Sequence, residues 1–137
     1  MPSFMCVTDE YNWGMRPGLM NLTGHFLEEW YWRPAAIISD SAGRFAGARA
    51  GRAWNRTLSE MGMVVVSSTN AVDGIGHAFD AEGELFGNGG AALSGVFLRF
   101  ADDLGWRTQA ASAQRVRVGP PYSPGEHPCA RTSARNA

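Results

Sequence analysis

The apolar positions change period several times along the chain, and each change marks an element. Ser3-Phe-Met-Cys-Val-Thr8 is a short, nearly continuous apolar run, which predicts a buried strand. Residues 9–18 are rich in Asn, Gly and Pro and read as a loop. Leu19, Leu22, Phe26, Leu27 and Trp30 then recur at helical spacing behind Pro17, predicting a helix over 17–32 that Arg33-Pro34 ends. Ala35-Ala-Ile-Ile-Ser39 predicts a second strand, and residues 40–47 a loop of small residues. Ala50, Ala53, Trp54, Leu58 and Met61 mark a second helix over 46–61, closed by Gly62. Met63-Val-Val-Val-Ser-Ser68 is strongly β-branched and predicts a third strand. Residues 70–88 read as irregular. Leu93, Val96, Phe97, Phe100 and Leu104 predict a last helix over 89–110.

Continuous apolar strands alternating with helices imply a parallel sheet covered on both faces, with right-handed crossovers. The expected fold is α/β, with three parallel strands side by side and the middle one central. Ligands of such sheets sit beyond the carboxyl ends of the strands. That places interest on two loops, 9–18 and 40–47.

A chain of 137 residues is one domain's worth. Hydrophobic residues at 45% and charged residues at 18% describe a globular chain with a real core. Residues 112–137 differ: four prolines (Pro120, Pro121, Pro124, Pro128), four arginines, one acid and no apolar periodicity read as a disordered Pro/Arg-rich tail. The expected organisation is a domain over 1–111 and that tail. No apolar run approaches the ~18 residues that cross a membrane. The opening residues carry no secretory pattern, so the expectation is a cytoplasmic protein. A net charge of −1 gives no general attraction for nucleic acid or anionic lipid. Cys6 and Cys129 are too few for a metal cluster, and Cys6 reads as a buried small hydrophobe. All twelve basic residues are arginine, which excludes Schiff-base chemistry and a Walker-type lysine. His25, His77 and His127 lack metal-ligand spacing, so no metal site is expected.

In the first loop, Tyr11 and Trp13 offer flat surfaces for stacking beside Asn12 and Gly14, a composition that suits a planar ring ligand and equally an ordinary turn with exposed aromatics. The second loop, Ser39-Asp-Ser-Ala-Gly-Arg-Phe-Ala-Gly47, lets a ligand approach the backbone before a helix N-terminus, but it fits neither GxGxxG nor a P-loop. Arg49, Arg52 and Arg56 fall on one helix face, able to meet a nucleotide phosphate or an acidic partner, or to stand solvated. Both Asn-x-Thr sequons, at Asn21 and Asn55, lie inside predicted helices and are discounted.

Taken in order, Val7-Thr-Asp-Glu-Tyr-Asn12, Pro17-Gly-Leu-Met-Asn21, Glu29-Trp30, Arg33-Pro-Ala-Ala36, Gly47-Ala-Arg-Ala50, Met61-Gly-Met-Val64 and Phe79-Asp-Ala-Glu-Gly-Glu-Leu85 resemble the NAD(P)H-dependent FMN reductase family. The series runs from Ser3 to about Ala111. The resemblance implies a flavodoxin-like three-layer α/β/α fold with strand order 2-1-3-4-5. It implies FMN and NADPH or NADH as cofactors, a flavin or quinone as acceptor, and a homodimer. Glu10, Tyr11 and Asn12 would then run along the isoalloxazine ring, and Ser39, Ser41 and Gly43 would reach it from the next strand. The chain departs from the family's pattern at Asp9, where proline is usual, at Met20, where lysine is usual, and at Asp40-Ser41-Ala42, where a Tyr-Gly-Gly-like run is usual. It opens on what would be the third strand, so two βα units of about 30 residues each, with the phosphate loop, are expected to be lacking.

The expected function is an FMN-dependent oxidoreductase using NAD(P)H, represented here by part of its domain; no residue is assigned a catalytic role. Two alternatives stand beside it: a non-catalytic flavodoxin-like remnant or interaction module, and a flavin-carrying electron shuttle without nicotinamide turnover.

Overall fold

The computed structural model describes residues 3–119. Three parallel strands, β1 (Phe4–Asp9), β2 (Pro34–Ser41) and β3 (Val64–Asp73), form one sheet in the order β1-β2-β3. This is the predicted arrangement, with the middle strand central. Helices α1 (Pro17–Gly24) and α2 (Ala48–Glu60) lie on one face, and α3 (Gly87–Val118) lies on the other. The result is a flavodoxin-like α/β/α sandwich.

β2 holds the layers together. Ala35, Ala36 and Ile37 are fully buried, and alternate side chains serve opposite faces. Ala35 and Ile37 join Trp54, Leu58 and Met63 beneath α2, with Phe4, Cys6, Leu19 and Trp30 packed around them. Ala36 and Val66 meet Phe100 and Leu104 of α3. Half-burial among apolar neighbours pushes the Cys6 thiol up to about 11, leaving it a protonated, unreactive core group. β1 is the sheet's edge. Its Met5 and Val7 are exposed on the face opposite Phe4 and Cys6, because α3 crosses β2 and β3.

Several predicted boundaries move, each for a physical reason. The first helix ends at Gly24 rather than at 32, and a single 3-10 turn, Glu28–Trp30, follows. Gly24 is a weak helix former, and the Trp30 indole N–H donates to the carbonyls of Thr23 (3.1 Å) and Phe26 (2.9 Å), occupying acceptors that a continuing helix would use. β3 runs on to Asp73, although Ser67–Asn70 is polar, because Ile37–Ser41 of the buried central strand offer it backbone partners. A bulge between Ala35 and Ile37 shifts the register before this extension.

The third correction concerns the tail. The helix expected to stop near 110 continues to Val118, seven residues into the segment read as structureless. Ala111, Ala113, Gln114, Arg115 and Arg117 are good helix formers, so propensity sustains the helix after the apolar stripe has lapsed. This stretch also docks: Arg115 Nη2 donates to the carbonyl of Tyr31 at 2.8 Å, and Val118 shares a groove with Trp32 and Val64. The rest of the predicted tail, including Cys129 and His127, lies outside the described residues. Truncation after Ala111 is therefore expected to lower Tm relative to truncation after Gly119. Loss of one partly buried charged hydrogen bond, about 1.5 kcal/mol, corresponds to roughly 4 °C or more in a domain of this size. Equal melting curves for the two truncations would show that residues 112–118 contribute nothing.

Candidate functional site

The site is built where β1 and β2 end side by side. Asp9 and Asp40 are paired in register, and the Glu10 N–H still donates to the Asp40 carbonyl at 3.3 Å. The chain leaving β1 then closes a two-residue turn. Tyr11 N–H donates to the Gly14 carbonyl (3.1 Å) and Gly14 N–H to that of Tyr11 (2.9 Å). Asn12 (φ 48°) and Trp13 (φ 65°) both lie in the left-handed region. Asn tolerates that conformation; Trp adopts it rarely, so the turn holds Trp13 under strain. Tyr11 is 52% exposed and Trp13 78% exposed.

The chain leaving β2 is pinned from beneath. A Cβ at Gly47 (φ 68°) would sit 2.5 Å from the Asp40 carbonyl oxygen, so only glycine lets the loop fold back this tightly. The Ser39 hydroxyl, buried, donates to the Ala46 carbonyl at 2.9 Å. Ser41 donates to the Gly43 carbonyl at 2.8 Å and shapes the loop's crest. Gly43 itself has open space around it.

A charged cluster joins the two loops. The Glu10 carboxylate, only 8% exposed, accepts from Arg49 Nε (2.7 Å) and from the Arg49 backbone N–H at the start of α2 (3.2 Å). It thus pairs with a guanidinium and caps a helix N-terminus at once. These hydrogen bonds hold its carboxyl below the ordinary value of 4.5. The Arg49 guanidinium lies 4.8 Å from the Trp13 ring and 4.9 Å from that of Phe45, one ring from each loop. Beneath the loops, Asp9 is ion-paired to Arg16. Burial, and secondarily the charge of Asp9, push the Asp40 carboxyl up from 3.8, against an opposing pull from Arg16.

Of the sequence-predicted residues, Tyr11, Asn12 and Gly43 stand open at the carboxyl ends of neighbouring strands. Ser41 is nearby with its hydroxyl engaged. Glu10 has its carboxylate claimed by Arg49 and its N–H by the Asp40 carbonyl. Ser39 is buried with its hydroxyl engaged by the Ala46 carbonyl, on the side facing α2, where a Cβ at Gly51 would lie 3.3 Å from that hydroxyl. Among the described residues none accepts a hydrogen bond from the backbone N–H groups of Asn12, Trp13, Gly43 or Arg44, so both loops present free donors. Sequence reasoning missed the parts played by Arg49 and Phe45. The arginine spacing at 49, 52 and 56 was a signal of a face, but not of a tie to residue 10.

This layout has known counterparts. The NADPH-dependent FMN reductase family profile matches residues 3–77. A solved structure of FerB, a flavoenzyme NAD(P)H:(acceptor) oxidoreductase from Paracoccus denitrificans, superposes with a TM-score of 0.65 at 25% identity, over 77% of this chain. The chain spans 62% of the FerB chain, less than two thirds of its length. No curated protein matches. No described helix is long and apolar enough to cross a membrane, and no described cluster of His, Cys, Asp or Glu suits a metal ion. With a profile match over more than half of its residues, laid on the same β-α-β-α-β core, the chain belongs to the NADPH-dependent FMN reductase family.

Proposed function

We propose that the paired loops hold the isoalloxazine ring of FMN, and that the chain takes part in NAD(P)H-dependent reduction of a flavin or quinone-type acceptor in a cytoplasmic homodimer. The observation that carries the reading is the set of free backbone donors on two adjacent strand-end loops, flanked by exposed Tyr11 and Trp13. A flat ring rimmed by oxygen and nitrogen acceptors matches such donors, and open Gly43 admits it to the backbone. Tyr11 gives the ring a stacking surface. The Glu10–Arg49 pair fixes the spacing of the loops. When bound, FMN supplies the redox chemistry, hydride acceptance from a reduced nicotinamide and electron delivery to the acceptor.

Asp40 opposes ring binding. Its carboxylate, already unfavourable through burial and Asp9, lies at the end of the strand that feeds the second loop, where a reduced, anionic flavin would repel it.

Two outcomes test this reading. Gly43→Val should leave Tm unchanged, since nothing lies within 4 Å of the added Cβ, yet weaken FMN binding in a fluorescence titration by about tenfold, or about 1.4 kcal/mol. FMN binding equal in both proteins would remove the second loop from the site. Asp40→Asn addresses the charge. A raised carboxyl value means that the folded state holds the proton more tightly than the unfolded chain does, so ionisation at neutral pH is a cost of folding. The Asn variant should therefore melt higher at neutral pH. Its advantage should shrink as pH falls and vanish below about 3.8, where the carboxyl is protonated in both states. A gain that persists in acid would assign the effect to something other than charge.

A further inference from the structure

The carboxyl end of β3, on the outer edge of the sheet, holds a cavity of its own. Its volume is about 140 Å³, and it lies between the end of β3 and the first turns of α3. Asn70, Asp73 and Gly89 supply its polar wall; Val72, Leu93 and Val96 supply its apolar one. Asn70 is the anomaly. It is 4% exposed, and its side-chain Nδ2 has no hydrogen-bond partner. A buried donor without an acceptor costs free energy, and an apolar side chain of similar shape would fill the place without that cost.

The helix beside it is equally unfinished. α3 is 32 residues long, yet its N-cap is Phe86, no side chain caps it and its first turn carries no acid. The N–H groups of that turn have no acceptor four residues back in the helix, and no charge within the turn offsets the positive helix end. Gly89, in that turn, opens onto the cavity. An uncapped helix end and a buried amide donor thus converge on one space, and both call for an acceptor atom.

The lining narrows what can bring that atom. A single water would satisfy Asn70, but its share of volume is only about 30 Å³ and the apolar wall offers it no further partner. An anion meets no arginine or histidine among the described lining residues, and it faces the Asp73 carboxylate. A cation would oppose the positive end of α3. The remaining class is neutral: an acceptor oxygen for Asn70 and α3, a donor N–H for Asp73, and an apolar body against Val72, Leu93 and Val96. The space is well below the roughly 300 Å³ at which drug-sized pockets begin, so that body is one small ring.

We propose that this cavity binds a small cyclic amide, its carbonyl oxygen accepting from Asn70 Nδ2 and the Gly89 N–H, and its own N–H donating to the Asp73 carboxylate. The inference is independent of the flavin reading, because the cavity lies at β3, across β2 from β1, and shares no lining residue with the two ring loops.

The test is an amide-resolved NMR titration of the full chain, without flavin, with δ-valerolactam and with N-methyl-δ-valerolactam, which lacks the N–H. The lactam is expected to saturate in the millimolar range, with the largest shifts at the Asn70 side-chain amide and the Gly89 backbone amide. N-methylation should weaken binding about tenfold, the loss of one hydrogen bond to a charged group. Asp73→Ala, at an exposed position, should weaken the lactam by a similar factor and leave the two compounds nearly equal. Asn70→Leu should abolish saturation while Tm stays level or rises, since the change removes an unpaired buried donor; a merely structural asparagine would lower Tm when lost. Should that variant not fold, the comparison of the two compounds in the unaltered chain decides alone. Equal affinity for both compounds there would overturn the proposal. So would the absence of saturable shifts at Asn70 and Gly89, the result for a cavity that holds only water. Acetate binding more tightly than the lactam would overturn it too, and would make the cavity an anion site.

Discussion

The Glu10–Arg49 pair is the interaction on which the functional end of the molecule depends. One carboxylate, shielded from water, binds the side chain and the backbone of the same arginine and so joins the loop after β1 to the first turn of α2. Arg49 is 41% exposed, so the ion pair alone contributes modestly, and the helix N-terminus adds to it. Arg49 in turn is bracketed by Trp13 and Phe45. Two loops that would otherwise move independently are held at one spacing, as a planar ligand requires. The strained Trp13 backbone belongs to the same assembly, since the turn's two hydrogen bonds and the arginine beneath the ring offset its left-handed conformation.

Below the loops, glycine and serine set the geometry. Gly47 lets the chain fold against Asp40, and Ser39 ties the returning backbone from inside. Both act one layer beneath the loop surface. Charge is the unsettled quantity. Asp9 and Asp40 bring two carboxylates to neighbouring strand ends; Arg16 neutralises one, and the other stays in an unfavourable setting. A site that handles a reduced flavin beside Asp40 would favour the oxidised cofactor, and therefore act as a weak electron acceptor and a ready donor.

Much of the fold was legible because parallel strands write continuous apolar runs. Phe4–Val7, Ala35–Ile38 and Val64–Val66 each announce a strand without any long-range information. The extension of β3 was not legible, because Ser67-Ser-Thr-Asn70 has no apolar pattern and owes its conformation to backbone pairing with a neighbour distant in sequence. The break in the first helix was hidden because apolar spacing continues through Trp30, although that residue packs by an indole hydrogen bond and an edge-on contact with Phe4. Ser39 could have been placed by parity alone. It lies two residues beyond buried Ile37 and so faces α2 with it. The tie from Glu10 to Arg49 spans 39 residues, and no local pattern encodes it.

The central claim is that the strand-end loops, and not another surface, receive the flavin. An amide-resolved NMR titration of the full chain with FMN tests it most directly. The account predicts shifts concentrated on the two loops, largest at the backbone amides of Asn12, Trp13, Gly43 and Arg44, which have no acceptor among the described residues, with little change along α3. Shifts centred on the groove beside Trp32 and Val118, or no shifts at millimolar FMN, would contradict it.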